Sequence, residues 1–426
     1  MSKTGPGRFE ITPEKRGSRE YRKVSFPIRY GFLSEIATPE YVYQFNLNGE
    51  LKFVQGRGRG WPHPAEWLKR TAGNDWVYYS SGEYGEIFDL FGEYYLPYFS
   101  YPSNSPFGSD PFDQAAVKAA ILSWGDFGDA LGSAGLCPAG PTRELVDRIR
   151  ENRPEVLQRK AERLHGLLGG PVTVLPPDSR HVDYDVIPLV VADGCLYNCG
   201  FCSVKANRPF QPRTEADITA QVEGLRGLYG RDLANYNAVF LGHHDALQAG
   251  ADLLLWAAAT AHEGLEVGRS LLRDPRLFLF GSADSLLRAP STLWKALDRL
   301  PFRTHLNVGL ESADPATLKA LGKPLTPGDV ERAFERMLEI NREYSNLEVS
   351  ANFVFGGELA AGHLNSLVSL IRAKLNRFCD KGAVYLSPLM HDRPRHREGR
   401  KRLLGDFRGL KTQSRLPAYL YLIQRL

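Results

Sequence analysis

The sequence predicts an α/β protein in which an N-terminal α+β accessory domain precedes a partial open (β/α)6 barrel. Two observations favour this fold. After residue 180, short apolar runs alternate with helical patterns, which indicates parallel strands joined by right-handed crossovers. Before residue 180 the chain is rich in aromatic residues, glycine and proline, and no regular period dominates. At 426 residues the chain exceeds what one core usually serves, so we expect two domains, or one large barrel with an attached module.

The predicted barrel has six strands. They run over residues 187–192, 238–241, 276–280, 305–310, 348–355 and 383–387. Too few residues follow Pro388 for two further strand–helix units, so an open barrel is favoured over a closed eight-stranded one. We therefore expect an aromatic-rich accessory domain at 1–180, the barrel at 181–390 and a basic C-terminal segment with a helix at 391–426. The active site of such a barrel lies at the C-terminal ends of its strands.

Capping signals place three helices. Asp113 should cap the helix of DQAAVKAAILSW, and Thr214 should cap that of TEADITAQVEGLRGLYG. Pro154 fits the first turn of a helix that ends on Gly169.

A hairpin is predicted around Asn48-Gly49, which lies between two runs of alternating apolar residues. A strict two-residue turn would place Leu51 on the face opposite Phe45. We therefore expect a bulged turn, or burial on both faces.

The net charge of +4 is too small to imply a nucleic-acid partner by itself. Positive charge is concentrated between His391 and Arg415. This segment is either a solvated loop and helix face, or a surface for RNA or a phosphate-bearing substrate. Its basic residues are Arg393, Arg395, Arg397, Arg400, Lys401, Arg402, Arg408, Lys411 and Arg415.

No secretory signal or membrane span is expected. The N-terminal basic residues are not followed by an apolar run, and the longest apolar stretch, residues 253–261, is half a membrane span. Three of the five cysteines lie within eight positions, which favours a metal site in a reducing compartment over disulfides. We therefore expect a cytoplasmic protein.

The most informative motif is the loop VVADGCLYNCGFCSVKANRPF, which follows the first predicted barrel strand. Cys195, Cys199 and Cys202 have the spacing C-x3-C-x2-C. Three thiolates hold three irons of a [4Fe-4S] cluster and leave the fourth open to an exogenous ligand. Gly194 and Gly200 relieve backbone crowding in such a loop.

The alternative to a cluster is a zinc site or a chance pattern. Zinc requires a fourth ligand, normally at short spacing, and the nearest histidines, His181 and His243, lie outside the loop. The other two cysteines, Cys137 and Cys379, are too few for a second cluster.

This loop resembles the hallmark of the radical S-adenosylmethionine (SAM) superfamily over about residues 185–390. The run NVGLESADPATLKALGKPLT is similar to the branch that includes oxygen-independent coproporphyrinogen oxidase and the methylthiotransferases. The resemblance implies that the open iron binds SAM and that an electron donor such as flavodoxin or ferredoxin drives SAM cleavage. The resulting 5'-deoxyadenosyl radical abstracts hydrogen from a substrate.

The resemblance also implies contacts with SAM at successive strand ends. Phe201, Phe355 and Gly356 are expected near adenine, and backbone groups around Leu386 on the adenine side. Asn352 is expected at the ribose, Gly242 and Asp245 at the amino group, Lys323 at the carboxylate, and Glu311 and the weaker candidate Ser282 at other polar groups. His243 and His244 replace glycines of many relatives. With Asp245, these histidines are candidate catalytic residues that act on substrate protons.

Three functions are considered. The first is a SAM-cleaving enzyme that acts on a small molecule, lipid or cofactor precursor, with the N-terminal domain covering the barrel mouth. The second is an RNA- or protein-modifying radical SAM enzyme, and the third a non-catalytic iron–sulfur or zinc protein. The aromatic residues of the N-terminal part either form a substrate platform or fill an irregular core. They are Trp61, Trp67, Trp76, Tyr78, Tyr79, Tyr94, Tyr95, Tyr98 and Tyr101.

Overall fold

The computed structural model of the chain describes most of its residues. These are 9–21, 30–81, 95–99, 110–133, 139–197, 199–202, 208–356, 359–373, 375, 378–389 and 397–426. Cys137, Tyr94, Tyr101, Arg393 and Arg395, which the sequence singled out, lie outside them.

The N-terminal part contains a seven-stranded antiparallel sheet in which every strand pairs with its neighbours in sequence. The strands are β1 (Glu10–Arg16), β2 (Phe32–Ala37), β3 (Tyr41–Phe45), β4 (Leu51–Gly56), β5 (Trp67–Arg70), β6 (Trp76–Ser80) and β7 (Leu96–Phe99). The predicted hairpin is β3–β4. Its register shifts between Gln44 and Phe45, as the expected bulge requires.

Three helices follow: α1 (Ala115–Ser133), α2 (Pro141–Glu151) and α3 (Pro154–Leu168). Pro154 lies in the first turn of α3 and Gly169 ends it in the left-handed conformation, as predicted. The prediction for Asp113 is wrong. Asp113 belongs to a 3-10 turn over Pro111–Asp113, capped by Asp110, and its exposed side chain caps nothing.

The aromatic residues of this part fill its core. Of the nine named above, six are buried: Trp61, Trp67, Tyr78, Tyr79, Tyr95 and Tyr98. Helix α1 lies on the sheet, with the rings of Trp124 and Phe127 at 5.7 and 6.0 Å from that of Phe45. The irregular core is therefore the better explanation for these aromatic residues than an exposed platform.

The second sheet is parallel and has seven strands, in the order β16-β15-β14-β13-β12-β11-β8. Its strands are β8 (Ile187–Leu189), β11 (Ala238–Asp245), β12 (Arg276–Gly281), β13 (Arg303–Glu311), β14 (Leu347–Phe355), β15 (Val384–Pro388) and β16 (Ala418–Leu420). The six predicted strands are all present. The count of six is wrong, because the short β16 adds a seventh strand beside β15.

Helices follow most of these strands. They are α4 (Glu215–Tyr229), α5 (Ala251–Gly264), α6 (Ala283–Arg288), α7 (Ser291–Asp298), α8 (Pro315–Ala320), α9 (Pro327–Glu343), α10 (Ala361–Val368) and α11 (Arg397–Gln413). Thr214 caps α4 through a capping box, as predicted. Within the described residues, no helix is both long and apolar enough to cross a membrane.

The two edge strands of the parallel sheet are linked by the chain that precedes β8 and the chain that follows β16. The amide of Leu175 donates to the carbonyl of Gln424 at 2.7 Å, and that of Leu426 to the carbonyl of Val172 at 3.1 Å. We call residues 172–175 and 421–426 together the seam. The division at residues 180 and 390 stays a prediction, although β16 brings part of 391–426 into the sheet.

The first prediction concerns the packing of α9 on the parallel sheet. Phe334 is fully buried on this helix, so Phe334→Ala should lower the free energy of unfolding by about 3–5 kcal/mol. Phe378 is 79% exposed and provides the matched control. Phe378→Ala should change the free energy of unfolding by less than about 0.5 kcal/mol. Urea unfolding followed by circular dichroism measures both, and equal effects would contradict the placement of α9.

Candidate active site

A cavity of about 230 Å³ lies at the C-terminal ends of the parallel strands. Eleven of the residues singled out from the sequence line it: Cys195, Cys199, Phe201, Cys202, His243, His244, Asp245, Ser282, Glu311, Lys323 and Asn352. Residues far apart in sequence thus meet where the strands end. No described residue of the antiparallel sheet lines this cavity.

The cysteine loop is closed at its base by a short antiparallel ribbon. Strand β9 (Ala192–Asp193) pairs with β10 (Gln211–Pro212). Arg213 forms two hydrogen bonds of 2.8 Å with the carboxylate of Asp193. Gly194 directly follows β9 and has a φ of 76°. A Cβ at this position would come within 2.2 Å of the Pro209 carbonyl oxygen. The turn therefore requires glycine at this position.

Two contacts hold the loop against neighbouring strand ends. The hydroxyl of Tyr197 donates to Oδ2 of Asp284 at 2.6 Å, at the start of α6. The amide of Gly200 donates to the carbonyl of Leu321 at 3.0 Å, after α8. The loop is thus attached to the segments that follow β12 and β13.

The three thiols differ in exposure: Cys199 is buried, whereas Cys195 and Cys202 are half-buried. Burial raises the pKa of the Cys195 and Cys199 thiols, while the ammonium of Lys323 acts in the opposite direction. At neutral pH these thiols are protonated in the metal-free protein. Thiolates would form when a positively charged metal centre binds.

The spacing of the thiols bears on which metal they hold. Four sulfurs around tetrahedral zinc, at about 2.3 Å from the metal, lie about 3.8 Å apart. Among the described residues, the set of ligand atoms within 4.8 Å of one another is Asp178, His181 and His305, and the three thiols do not form such a set. In this structure the three thiols are therefore not arranged as the ligands of a single zinc ion.

Glu311 and Lys323 form a buried ion pair in the cavity wall. The ammonium of Lys323 lies 3.4 Å from Oε1 of Glu311 and 5.0 Å from the ring centroid of Tyr197. Burial raises the pKa of Glu311, and Lys323 opposes this shift. Gly309 leaves room for the pair, because a Cβ there would lie 2.5 Å from Glu311 Oε1.

Three extra residues are inserted in β11 at the cavity. Leu241 pairs with Leu279, and the next pair is Asp245 with Phe280, so residues 242–244 leave the ladder. Gly242 supplies the positive φ of 96° that starts this excursion. As a result, His243 and His244 line the cavity, whereas Gly242 does not.

The two carboxylate oxygens of Asp245 differ in their hydrogen bonding. Its Oδ1 accepts hydrogen bonds from the Gln248 amide at 3.1 Å and the Ser285 hydroxyl at 2.8 Å. Its Oδ2 is buried without a hydrogen-bond partner among the described residues. Burial raises the pKa of Asp245, and the neighbouring hydroxyls of Ser282 and Ser285 oppose the shift. This oxygen is available to a donor that enters the cavity.

Both histidines of the excursion are uncharged at neutral pH. Burial, followed by the neighbouring His244, lowers the pKa of His243 to about 4. Burial also lowers the pKa of His244. Neutral imidazoles offer one donor and one acceptor each, so both suit hydrogen bonding or proton acceptance.

Asn352 is part of a polar floor beneath the cavity. Its amide nitrogen donates to Asn307 Oδ1 at 2.6 Å, and Asn307 donates to the Ser350 hydroxyl at 2.8 Å. Ser350 in turn donates to Asp178 at 2.5 Å. This network orients Asn352 before any ligand arrives.

The side chains of Phe355 and Leu386 are not brought to the cavity. Phe355 packs against Phe407 of α11, with ring centroids 6.4 Å apart, and Leu386 is fully buried. Strand alternation explains this, since Val354 and Ser387, their chain neighbours, line the cavity instead. Gly356 also lies outside the lining residues.

The Asp178, His181 and His305 group is a weak candidate for a metal site. Nη1 of Arg276 lies 2.8 Å from Nε2 of His305, so the guanidinium uses that lone pair. A guanidinium in contact with a ligand also repels a cation.

Sequence reasoning missed several residues of the cavity wall. Tyr197 is the one that a local signal could have revealed, because it lies between two of the cysteines. Val174, Tyr421 and Ile423 come from the seam, which no local pattern indicates.

Comparisons with known proteins were made on sequence and on structure. No family model matches the chain. An uncharacterized protein of Methanopyrus kandleri is 30% identical over 169 residues, which are 38% of this chain and 30% of that protein. The match thus spans less than a third of the length of this curated relative.

Three solved structures are similar to parts of the chain. A radical SAM methyltransferase from Sphaerobacter thermophilus has a TM-score of 0.37 and 18% identity, over 56% of this chain and 66% of that one. Coproporphyrinogen III oxidase from Escherichia coli, a radical SAM enzyme, has a TM-score of 0.35 and 11% identity, over 54% and 52%. Methylornithine synthase has a TM-score of 0.32 and 13% identity, over 63% and 78%. At these TM-scores the overlap is partial and adds no weight to what the cavity residues indicate.

The second prediction concerns the attachment of the cysteine loop. Tyr197→Phe removes a hydrogen bond to a carboxylate, which contributes about 1.5–3 kcal/mol. Amide hydrogen exchange in residues 195–202 should become about tenfold faster or more, as measured by mass spectrometry. Tyr229→Phe is the control, since that buried hydroxyl has no hydrogen-bond partner among the described residues. Unchanged exchange in the Tyr197 variant would show that the contact does not hold the loop.

The third prediction concerns pH. The pKa of His243 is about 4, below its ordinary value of about 6.5, so protonation favours the unfolded chain. Its contribution to stability is complete above pH 6.5 and is lost as the pH falls towards 4. His243→Asn should therefore reduce the loss of unfolding free energy between pH 7.5 and 5, by on the order of 1 kcal/mol. His63 is exposed, so His63→Asn serves as the control. If the unfolding free energy of the wild type and of both variants depends equally on pH, burial of His243 does not contribute to this dependence.

Proposed function

We propose that this chain is a radical SAM enzyme whose [4Fe-4S] cluster is held by Cys195, Cys199 and Cys202. The observation that carries the proposal is the placement of this loop. Three thiols, attached at the C-terminal ends of parallel strands, face the same cavity as a buried ion pair and an unsatisfied carboxylate oxygen. The parallel sheet would then form the open barrel expected from the sequence.

The donor set fits a site-differentiated cluster. Three cysteine ligands hold three irons and leave the fourth open. When bound, the cluster and SAM supply an electron transfer that yields methionine and a 5'-deoxyadenosyl radical, which takes hydrogen from the substrate. The protein supplies the binding, orientation and exclusion of water.

The charged groups of the wall suit the methionine end of SAM, which carries an ammonium and a carboxylate. Lys323 would contact the carboxylate. The unpartnered Oδ2 of Asp245 would accept from the ammonium, and Glu311 would contact a further polar group or hold Lys323 in position. Ser282 would orient Asp245, because it caps α6 together with Ser285, which donates to Asp245. A buried acceptor that is left unpaired in the empty cavity gains most from such a ligand.

The nucleoside end would lie along β14 and β15. Asn352 is oriented by Asn307 and would bond the ribose hydroxyls. Val354, Pro388 and Phe201 offer apolar surface for adenine. Backbone groups around Leu386 would complete this side, although its carbonyl already accepts from the Tyr421 amide.

His243 and His244 are further polar groups of the cavity. As neutral imidazoles in the cavity wall, they would exchange protons with the substrate. The enzyme would receive its electron from a flavodoxin or ferredoxin, and its free thiols suit the reducing cytoplasm.

The fourth prediction tests this proposal. After anaerobic reconstitution, Cys199→Ala should lose most cluster absorbance and iron, and should form at least about 100-fold less 5'-deoxyadenosine with dithionite and SAM. Cys379→Ala is the matched control, because Cys379 is a described cysteine outside the cavity, and it should behave like the wild type.

Two results would overturn the proposal. One is a fully iron-loaded and reduced wild-type protein that forms no 5'-deoxyadenosine. The other is metal analysis that finds zinc and no iron in protein purified without oxygen.

A further inference from the structure

The walls of the cavity differ in chemistry. The side formed by β11 and β13 carries charged and polar groups, among them the two histidines and the Glu311–Lys323 pair. A second group of lining residues, from the end of β15 and the seam, is mainly apolar: Val174, Leu389, Tyr421 and Ile423. A ligand that fills the cavity therefore meets both polar and apolar groups.

The apolar side is rigid because the seam is fixed to its neighbours on both sides. The Tyr421 amide donates to the Leu386 carbonyl at 2.8 Å, which continues the pairing of β16 with β15. The Leu175 amide donates to the Gln424 carbonyl. Val174 and Ile423 directly precede these two hydrogen-bonded residues in the chain. Arg425 forms an ion pair of 2.6 Å with Asp75 of the N-terminal part. A pocket held in this way discriminates ligands by shape and polarity.

The charges of the lining disfavour an anionic ligand. Among the described lining residues, Lys323 is the one with a permanent positive charge, and it is paired with Glu311. Asp245 adds a further carboxylate. A phosphate or carboxylate on the substrate would thus lose its hydration and find no free cation.

From this we infer the substrate class: a small molecule with an apolar group that packs against Val174, Tyr421 and Ile423 and an uncharged polar group that reaches His243 and His244. The inference rests on the proposed function, because it assigns the part of the cavity that SAM leaves free.

The test uses 1-octanol and octyl phosphate as probes, since they share one chain and differ in head-group charge. Each is titrated by calorimetry into anaerobically reconstituted, unreduced protein saturated with SAM. 1-Octanol should bind at one site per chain, and octyl phosphate at least tenfold more weakly. Ile423→Asn should weaken 1-octanol binding about tenfold, whereas Ile423→Leu should not.

Two further variants serve as a second test and a control. Val174→Thr keeps the shape of the side chain and should also weaken binding, so the test does not depend on the folding of the Ile423 variant. Phe378→Ser removes an exposed apolar side chain outside the cavity and should leave binding unchanged, which controls for adventitious surface binding.

The inference is overturned if 1-octanol does not bind to the SAM-saturated protein, or if octyl phosphate binds as tightly. Failure of the proposed function itself appears separately, as absence of iron or of 5'-deoxyadenosine formation in the same preparation.

Discussion

The buried ion pair between Lys323 and Glu311 is the interaction on which the candidate site depends. Lys323 Nζ lies 3.4 Å from Glu311 and 5.0 Å from the ring centroid of Tyr197, so one cation joins the end of β13 to the cysteine loop. Removing one partner of a buried pair leaves an uncompensated charge at a cost of about 3–5 kcal/mol. Gly309 beneath the pair has no Cβ that would displace Glu311. The cysteines are therefore positioned by electrostatics as well as by the ribbon at the base of their loop.

The parallel sheet brings the other groups to the same place. Parallel strands end on one edge, so the excursion of β11, the cap of α6 and the end of β13 converge around the loop. The edges of this sheet are joined through the seam, and the seam supplies the apolar wall. One architecture thus brings polar and apolar groups to the same cavity as the three-cysteine loop.

Much of the site was predictable because its signals are local. Cys195, Cys199 and Cys202 lie within one loop, and each predicted barrel strand is marked by a short run of apolar residues. Glu311 and Lys323 were named by resemblance, and the structure places them in contact. Phe355 was also named, but its side chain packs against Phe407 and does not line the cavity. A resemblance over a strand does not by itself determine which face of the sheet each side chain occupies.

By itself the sequence determined the α/β class, six strands of the parallel sheet, the cap at Thr214, the ends of α3 and the three-cysteine loop, since each depends on residues close together in the chain. Only the tertiary structure decided that β16 is a seventh strand, that Tyr197 contacts Asp284, and that the seam lines the cavity. These features join segments separated by tens to hundreds of residues. Their pairing depends on shape and burial across the whole fold, which no local pattern records. The three cysteines were evident from the chain alone, and the walls that face them were not.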